Sequence, residues 1–412
     1  MRKKVKISSS LLLVFMFVIL ELSLFFFYKD MKPTQNFIYY TAGVLVLIYL
    51  LNILLIKISP KADRYLNLIV SMLFSIGTFE ILRLDETSGF RQIIWISIGI
   101  IVFYLAIFIL TAMKNKFNKM FFIVLSLIYI LFIITLVLGK TKYGARNWIR
   151  LGPIRFQPGE FIKILYIFLQ AIYYKNYKRY ASIKFGPEIF TLISYSFIMF
   201  FFLQKDLGSA VIIYGMMMFS EFVFEKKKYL KYVNLLLAVV MSVVSYYLFS
   251  HVRVRVLSFI NPWDYMDGIG LQITQSLFAI SSGGFVGTGI GLGLPNTIPV
   301  ATSDFIFSAI CEEMGTLVGI AVIMLFIMLI SRMFKISLKS NDTFYKVLSF
   351  NCAVLFSIQS LLILGGVLKL IPLTGVTLPF VAYGGTSILA SFIVLAMVQL
   401  SSIEGEVDGQ NE

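Results

Sequence analysis

The feature that most constrains this chain is the recurrence of apolar runs about as long as a bilayer is thick. A hydrocarbon core about 30 Å across takes about 20 helical residues, because a helix rises about 1.5 Å per residue. With that ruler the sequence predicts helices over 8–28, 36–56, 65–82, 92–113, 120–139, 159–174 and 188–204. The pattern continues with 207–224, 232–250, 305–331, 345–370 and 378–400. About 12 spans make the expected fold all-α, a polytopic transmembrane helix bundle.

Charge supports this class. Of 412 residues, 59% are hydrophobic and only 14% charged, where a soluble domain carries about a quarter. The net charge of +15 would suggest nucleic acid in a soluble protein. Here most Lys and Arg fall in short loops between apolar runs, where the positive-inside rule accounts for them, and no nucleic-acid partner is expected. Cys311 and Cys352 both lie in apolar runs, and His251 is the only histidine. A disulfide framework, a thiolate cluster and a His-based metal site are thereby disfavoured. The start, Met1 to Lys6 followed by apolar residues, lacks a small-residue cleavage site and reads as a retained first span.

With a cytoplasmic N-terminus, the loops predicted inside carry Lys57, Lys61 and Arg64, then Lys114, Lys116 and Lys119. Later inside loops carry Lys175, Lys178, Arg179 and Lys184, then Lys226, Lys227, Lys228 and Lys231, then Arg332, Lys335 and Lys339. Every second loop is basic, which places both termini in the cytoplasm. Two outside segments break the pattern. The 140–158 loop holds Lys140, Lys142, Arg146, Arg150 and Arg155 against the usual bias. The large extracytoplasmic loop near 251–304 is far longer than a helix connection requires, and loops of that length are usually functional.

Ionisable residues at membrane depth are costly, so each is a functional candidate. They are Glu21, Glu160, Lys163, Asp206, Asp304, Glu312 and Glu313. Asp304 follows Thr302-Ser303 and opens an apolar run. It is either part of a helix cap or a carboxylate placed as a general base, and Ser303 can cap while Asp304 faces a cavity. Glu160 and Lys163 share a helix face at a spacing of three and are either an ion pair or a functional couple. Asp206 starts a helix and can pair with Lys205. Of Glu312 and Glu313, at least one should face the bundle interior. The outside cations suit a membrane-embedded anion such as a lipid pyrophosphate, the alternative being the headgroups of anionic membrane lipid. The run Ser282 to Gly293 is rich in glycine but lacks the Gly-Lys-Ser/Thr of a P-loop, so its glycines read as turns and close backbone approaches.

At these residues the sequence resembles the shape, elongation, division and sporulation (SEDS) family, which includes RodA, FtsW and SpoVE. The matching blocks are Gly144-Ala145-Arg146-Asn147-Trp148-Ile149, Phe156 through Lys163, Gln204 through Ala210 and Asn261-Pro262-Trp263. Further blocks run from Gln275 to Gly293, Asp304 to Gly315 and Leu373 to Ser387, while the first 138 residues match by hydropathy alone. The resemblance implies a peptidoglycan glycosyltransferase that polymerises lipid II at the outer face of the cytoplasmic membrane, partnered by a class B penicillin-binding protein. It implies Asp304 as the catalytic carboxylate, with Arg146, Trp148, Gln157, Glu160, Lys163 and Asp206 as further characteristic positions.

From charge placement, Arg146, Arg150, Arg155 and Lys163 are candidates for the pyrophosphate leaving group, and Gln275 and Ser276 join the substrate-binding set. A divalent cation, Mg or Mn, is the cofactor such a leaving group can call on. On this reading 1–60 supplies two additional helices, 61–403 a glycosyltransferase core with the family's usual ten spans, and 404–412 an acidic cytoplasmic tail. The family commonly has Pro-Glu-x-His-Thr before its catalytic Asp, where this chain reads Pro299-Val300-Ala301-Thr302-Ser303. Likewise Gln-Pro-Asp has become Gln204-Lys205-Asp206, and Gln-Pro-Ser-Glu has become Gln157-Pro158-Gly159-Glu160. Two other readings stand beside the enzyme: a flippase for the lipid-linked precursor, and a scaffold without catalysis.

Overall fold

The computed structural model describes residues 35–59, 61–142, 145–152 and 154–405, with Val14 and Val18 as isolated helical positions. Most of the first predicted span, with Glu21, and most of the acidic tail lie outside the described residues. Every other predicted span falls on a helix. These are α1 (Gln35–Ile58), α2 (Arg64–Leu84), α3 (Glu86–Met113), α4 (Phe121–Leu138), α5 (Pro158–Lys175), α7 (Gly186–Leu203) and α8 (Leu207–Phe224), with the short α6 (Tyr177–Ala181) between α5 and α7. The order continues with α9 (Lys228–Leu248), α10 (Ser250–Ile260), α11 (Ile269–Gly283), α12 (Ile306–Lys339), α13 (Thr343–Val367) and α14 (Gly385–Glu404). Nine of the described helices are long and apolar enough to cross a bilayer. The chain is a multi-pass membrane protein.

Three expectations need correction. The 251–304 segment is not one loop, because α10 and α11 occupy much of it. The 140–158 segment is a small antiparallel sheet of β1 (Lys140–Lys142), β2 (Ala145–Leu151) and β3 (Ile154–Phe156). The span predicted to open at 378 begins at Gly385, since residues 378–384 form turns and irregular backbone.

The chain divides into two compact units. The first comprises the described part of Met1–Ile101 with Gln272–Leu329 and Thr377–Ile388. In it α1 packs on α2. Asp63 caps α2 by accepting from the N–H groups of Tyr65 (2.9 Å) and Leu66 (3.3 Å). Inside this pair, polar side chains bond rather than face lipid: Asn52 donates to Ser71 (2.9 Å) and Asn67 to the Leu51 carbonyl (2.9 Å).

The second unit comprises Val102–Leu271, Ile330–Val376 and Leu389–Glu412. Its centre is α5, which packs against α4, α8 and α13. Pro158 occupies the first turn of α5, where a missing N–H costs nothing, and Glu160 complements the positive end of the helix dipole. A buried polar ladder follows down the helix. Tyr166 donates to Ser194 (2.9 Å), Gln170 to the Tyr166 hydroxyl (3.1 Å), and Ser220 to Gln170 (3.4 Å) and Asn351 (2.6 Å). The candidates drawn from the sequence were all ionisable residues, so this ladder was not among them. Its members are hydroxyls and amides, which charge counting does not see.

Candidate active site

The characteristic residues divide between the two units. Asp304, Gln275 and Ser276 belong to the first, and Arg146 through Asp206 to the second.

In the second unit, strand alternation sorts the basic segment. Asn147 and Ile149 turn inward and are buried, so Arg146, Trp148 and Arg150 share the opposite face of β2. Asn147 donates to Asp206 Oδ2 (2.9 Å), and the Arg146 N–H donates to the Gln204 carbonyl (2.9 Å). Asp206 Oδ1 accepts from the Ser209 N–H (3.1 Å) and caps α8. Lys205 was a possible partner for Asp206. The two Asp206 oxygens serve a helix cap and the sheet, and Lys205 itself sits in a left-handed turn (φ 58°).

Arg146 directs its guanidinium to the carbonyls of Gly139 (3.0 Å) and Val137 (3.3 Å) at the end of α4. Arg150 and Arg155 are exposed and directly opposed in the β2–β3 register. Like charges facing across a strand pair repel, so this pair favours an anion over its face. Gln157 precedes α5 with no side-chain cap bond. Glu160 and Lys163 form the expected pair, 2.8 Å apart, with Lys163 only 1% exposed.

In the first unit, Asp304 lies two residues ahead of α12 and is half-buried, with Oδ1 accepting from the Ser303 hydroxyl (3.1 Å). The neighbouring Thr302 carbonyl accepts the Tyr383 N–H (2.9 Å), which ties this turn to the segment before α14. Ser276 on α11 is buried and hydrogen-bonded to Ser308 of α12 (2.7 Å), so it joins the two helices. Gln275, beside it, is half-buried.

Glu312 and Glu313 are both buried, where at least one was expected to be. Glu312 Oε1 accepts the Leu294 N–H (2.8 Å), and Glu313 Oε2 accepts the Gly291 N–H (3.2 Å). Glu313 also pairs with Arg83 of α2. Glu80, three residues before Arg83, is fully buried within electrostatic reach of Arg83, Glu312 and Glu313, and its carboxyl oxygens have no hydrogen-bond partner among the described residues. Sequence reasoning passed over Glu80 and Arg83. The available signal was a charged pair at spacing three in the last turn of an apolar run.

Among the described residues no three His, Cys, Asp or Glu side chains gather to hold a metal ion.

The family of FtsW, RodA and SpoVE, described as "Cell cycle protein", matches residues 62–405. The peptidoglycan glycosyltransferase RodA of Mycobacterium tuberculosis (strain ATCC 25618 / H37Rv) is 31% identical over 367 residues, covering 83% of this chain and 78% of that protein. Stage V sporulation protein E of Bacillus subtilis (strain 168) is 29% identical over 357 residues, covering 83% of this chain and 96% of that protein. Among solved structures, a chain from a study of polymerisation and crosslinking by a peptidoglycan synthase complex superposes with TM-score 0.71 at 24% identity, covering 83% of this chain and 97% of that one. RodA of Thermus thermophilus superposes with TM-score 0.61 at 21% identity, covering 84% and 98%. The chain belongs to the FtsW/RodA/SpoVE family.

Proposed function

We propose that this protein is a peptidoglycan glycosyltransferase that polymerises lipid II into glycan strands, with Asp304 as its general base. The observation that carries the reading is 31% identity to RodA glycosyltransferases over most of the chain, with the acidic residue of the matching block on an accessible turn.

In the reaction, the acceptor's 4-hydroxyl oxygen bonds to the donor's anomeric carbon while the bond from that carbon to the pyrophosphate oxygen breaks. The hydroxyl proton passes to the Asp304 carboxylate, and the polyprenyl pyrophosphate leaves with the bonding electrons. The half-buried Asp304 keeps one oxygen on Ser303, which orients the carboxylate. The developing negative charge calls for fixed cations. Arg150 and Arg155, exposed and opposed in the β2–β3 register, suit that role, with Arg146 on the same face of β2 as Arg150. Lys163 is buried on Glu160 and serves the site through that pair. Trp148, Gln157, Asp206 and Gln275 are assigned to substrate contact or its support. A magnesium or manganese ion would arrive on the pyrophosphate.

We also propose that both termini are cytoplasmic, that residues 1–60 are an addition to a core over 61–403, and that a class B penicillin-binding protein cross-links the product. The likeness to a chain of a synthase complex supports the partner. The flippase reading gains no specific support, since the ladder along α5 is bonded within itself.

The test is polymerisation of labelled lipid II by right-side-out and inside-out vesicles, with and without the penicillin-binding partner. Wild type should yield product from right-side-out vesicles, and Asp304→Ala should lose at least about 100-fold in rate. An unchanged rate in the variant removes Asp304 as base. Product only from inside-out vesicles reverses the orientation, and none from wild type in any pairing leaves the scaffold.

A further inference from the structure

Inside a bilayer, irregular backbone persists only where protein satisfies it. Helix α12 is interrupted at Gly315, whose φ of 87° and ψ of 162° are non-helical. A continuous helix would bond the Thr316 N–H to the Glu312 carbonyl and the Leu317 N–H to the Glu313 carbonyl. Neither bond forms. The Glu312 carbonyl instead accepts the Thr288 N–H (2.9 Å), and the Glu313 carbonyl accepts the Gly289 N–H (3.1 Å). Thr316 and Leu317 donate to the carbonyls of Gly284 (3.0 Å) and Phe285 (3.3 Å).

The exchange is reciprocal. Continuation of α11 past Gly283 would have paired Thr288 with Gly284 and Gly289 with Phe285, so two helices have traded partners. Side chains repeat the trade: the Thr288 hydroxyl donates to Glu312 (3.0 Å) and the Thr316 hydroxyl to Gly284 (2.9 Å). Each break rests on a Gly-Thr step with positive φ, Gly287 at 96° and Gly315 at 87°. A Cβ on either glycine would collide with the other strand's backbone.

On this clasp sit the two carboxylates. Glu312 and Glu313 bind the N–H groups of Leu294 and Gly291, beyond the exchanged residues. Gly293 fits between them, since an added Cβ would lie 3.1 Å from Glu313 Cγ and 3.3 Å from Glu312 Cδ. Arg83 Nη2 joins Glu313 to the Gly293 carbonyl (3.5 Å). The segment so anchored runs on to Asp304, whose turn is tied at its other side by Tyr383.

We infer that Glu312, Glu313 and Arg83 are positioning residues, which fix the 284–294 backbone on the α11–α12 clasp and thereby place Asp304 for proton abstraction. The inference rests on Asp304 being the base. Displacement of a catalytic group by about 1 Å can cost about 100-fold in rate. Loosening this anchor should therefore lower kcat and leave KM for lipid II nearly unchanged.

The experiment measures kcat, KM and thermal stability of the full-length protein for Arg83→Met/Glu313→Gln and Arg83→Lys, with Asp304→Asn in parallel. The double variant removes the directly paired Arg83 and Glu313 charges together and leaves Glu312 on the Leu294 N–H, so its melting temperature should stay near wild type while kcat falls by about tenfold or more. Arg83→Lys keeps a cation on Glu313 but replaces the fork with a point charge, and kcat should fall by about threefold to tenfold. It also serves if the double variant fails to fold. Wild-type kcat in either folded variant, or a fall in kcat that only tracks lost stability, overturns the inference while Asp304→Asn remains inactive. An active Asp304→Asn overturns the base assignment itself, and the inference with it.

Discussion

Two regions of this protein bury carboxylates beside a cation, and they do so by opposite means. At the start of α5, Glu160 and Lys163 meet one turn apart on a regular helix, 2.8 Å from each other. At the break in α12, Glu312 and Glu313 are adjacent in sequence, and their cation, Arg83, comes from another helix. Adjacent residues on a regular helix point about 100° apart. Here the glycine-rich segment brings donors to both carboxylates, and Arg83 completes the set. A pair on one helix face needs only local geometry. A pair supported by a broken helix depends on a second segment holding the break open.

That dependence gives the largest expected effect. Gly315→Ala places a side chain in a backbone region that only glycine adopts readily, and its Cβ meets the backbone of Phe285, Val286 and Gly287. The clasp must open, and we expect a loss of more than about 4 kcal/mol in stability, read as the melting temperature of purified protein. Gly152→Ala is the matching control. Gly152 also has positive φ (61°), but nothing lies within 4 Å of an added Cβ, so the cost should be about 1 kcal/mol. Equal melting temperatures for the two variants would break the comparison.

The same contrast explains what was legible in the sequence. Hydropathy located the spans because lipid imposes length and apolarity together, and spacing alone found Glu160 with Lys163. Both signals are local. The ladder of Tyr166, Gln170, Ser220 and Asn351 was invisible because uncharged polar residues leave hydropathy nearly intact. The sheet over 140–156 was missed because its strands are as short as three residues and carry charge rather than a run of β-branched residues. The glycines of 283–293 were read as turns and close backbone approaches, and Gly283, Gly287 and Gly293 make such approaches while Gly284 and Gly291 are positive-φ turns. Their partner, the break at Gly315, could not be inferred, since Glu-Glu-Met-Gly inside an apolar run reads as ordinary helix. Arg83 was overlooked for the same reason: its role exists only in the tertiary contact with Glu313.

A smaller effect tests the regular side of the comparison. Lys163→Met leaves Glu160 buried without its cation, and breaking a buried pair in this way should cost about 3 kcal/mol. Glu160→Gln/Lys163→Met removes both charges, and most of that loss should return in the melting temperature. Failure of the double variant to recover would mean that the α5 pair, like the α12 cluster, depends on donors beyond its own helix.

The smallest expected effect concerns a carboxylate at a helix boundary where no second segment takes part. Asp85 stands between α2 and α3 and accepts from the N–H groups of Thr87 (3.2 Å) and Ser88 (3.1 Å) and from both hydroxyls. The Ser88 hydroxyl foremost holds its carboxyl below the ordinary aspartate value of 3.8, against the opposing effect of burial and with the help of the Thr87 hydroxyl and both N–H groups. A depressed folded pKa means that the unfolded chain binds the proton more readily. The stabilisation is therefore fully present above the unfolded pKa, and it is lost as pH falls through the depressed folded value. Because Asp85 is largely solvated, the contribution should stay below about 1 kcal/mol. Comparing melting temperatures of wild type and Asp85→Asn from pH 6 down to pH 3 isolates it, since the difference should shrink only below about pH 4. A difference that persists undiminished at pH 3 would show that the asparagine fails as a cap for reasons other than charge. The local-geometry account of this boundary would then need a partner from elsewhere in the fold, as the α12 cluster does.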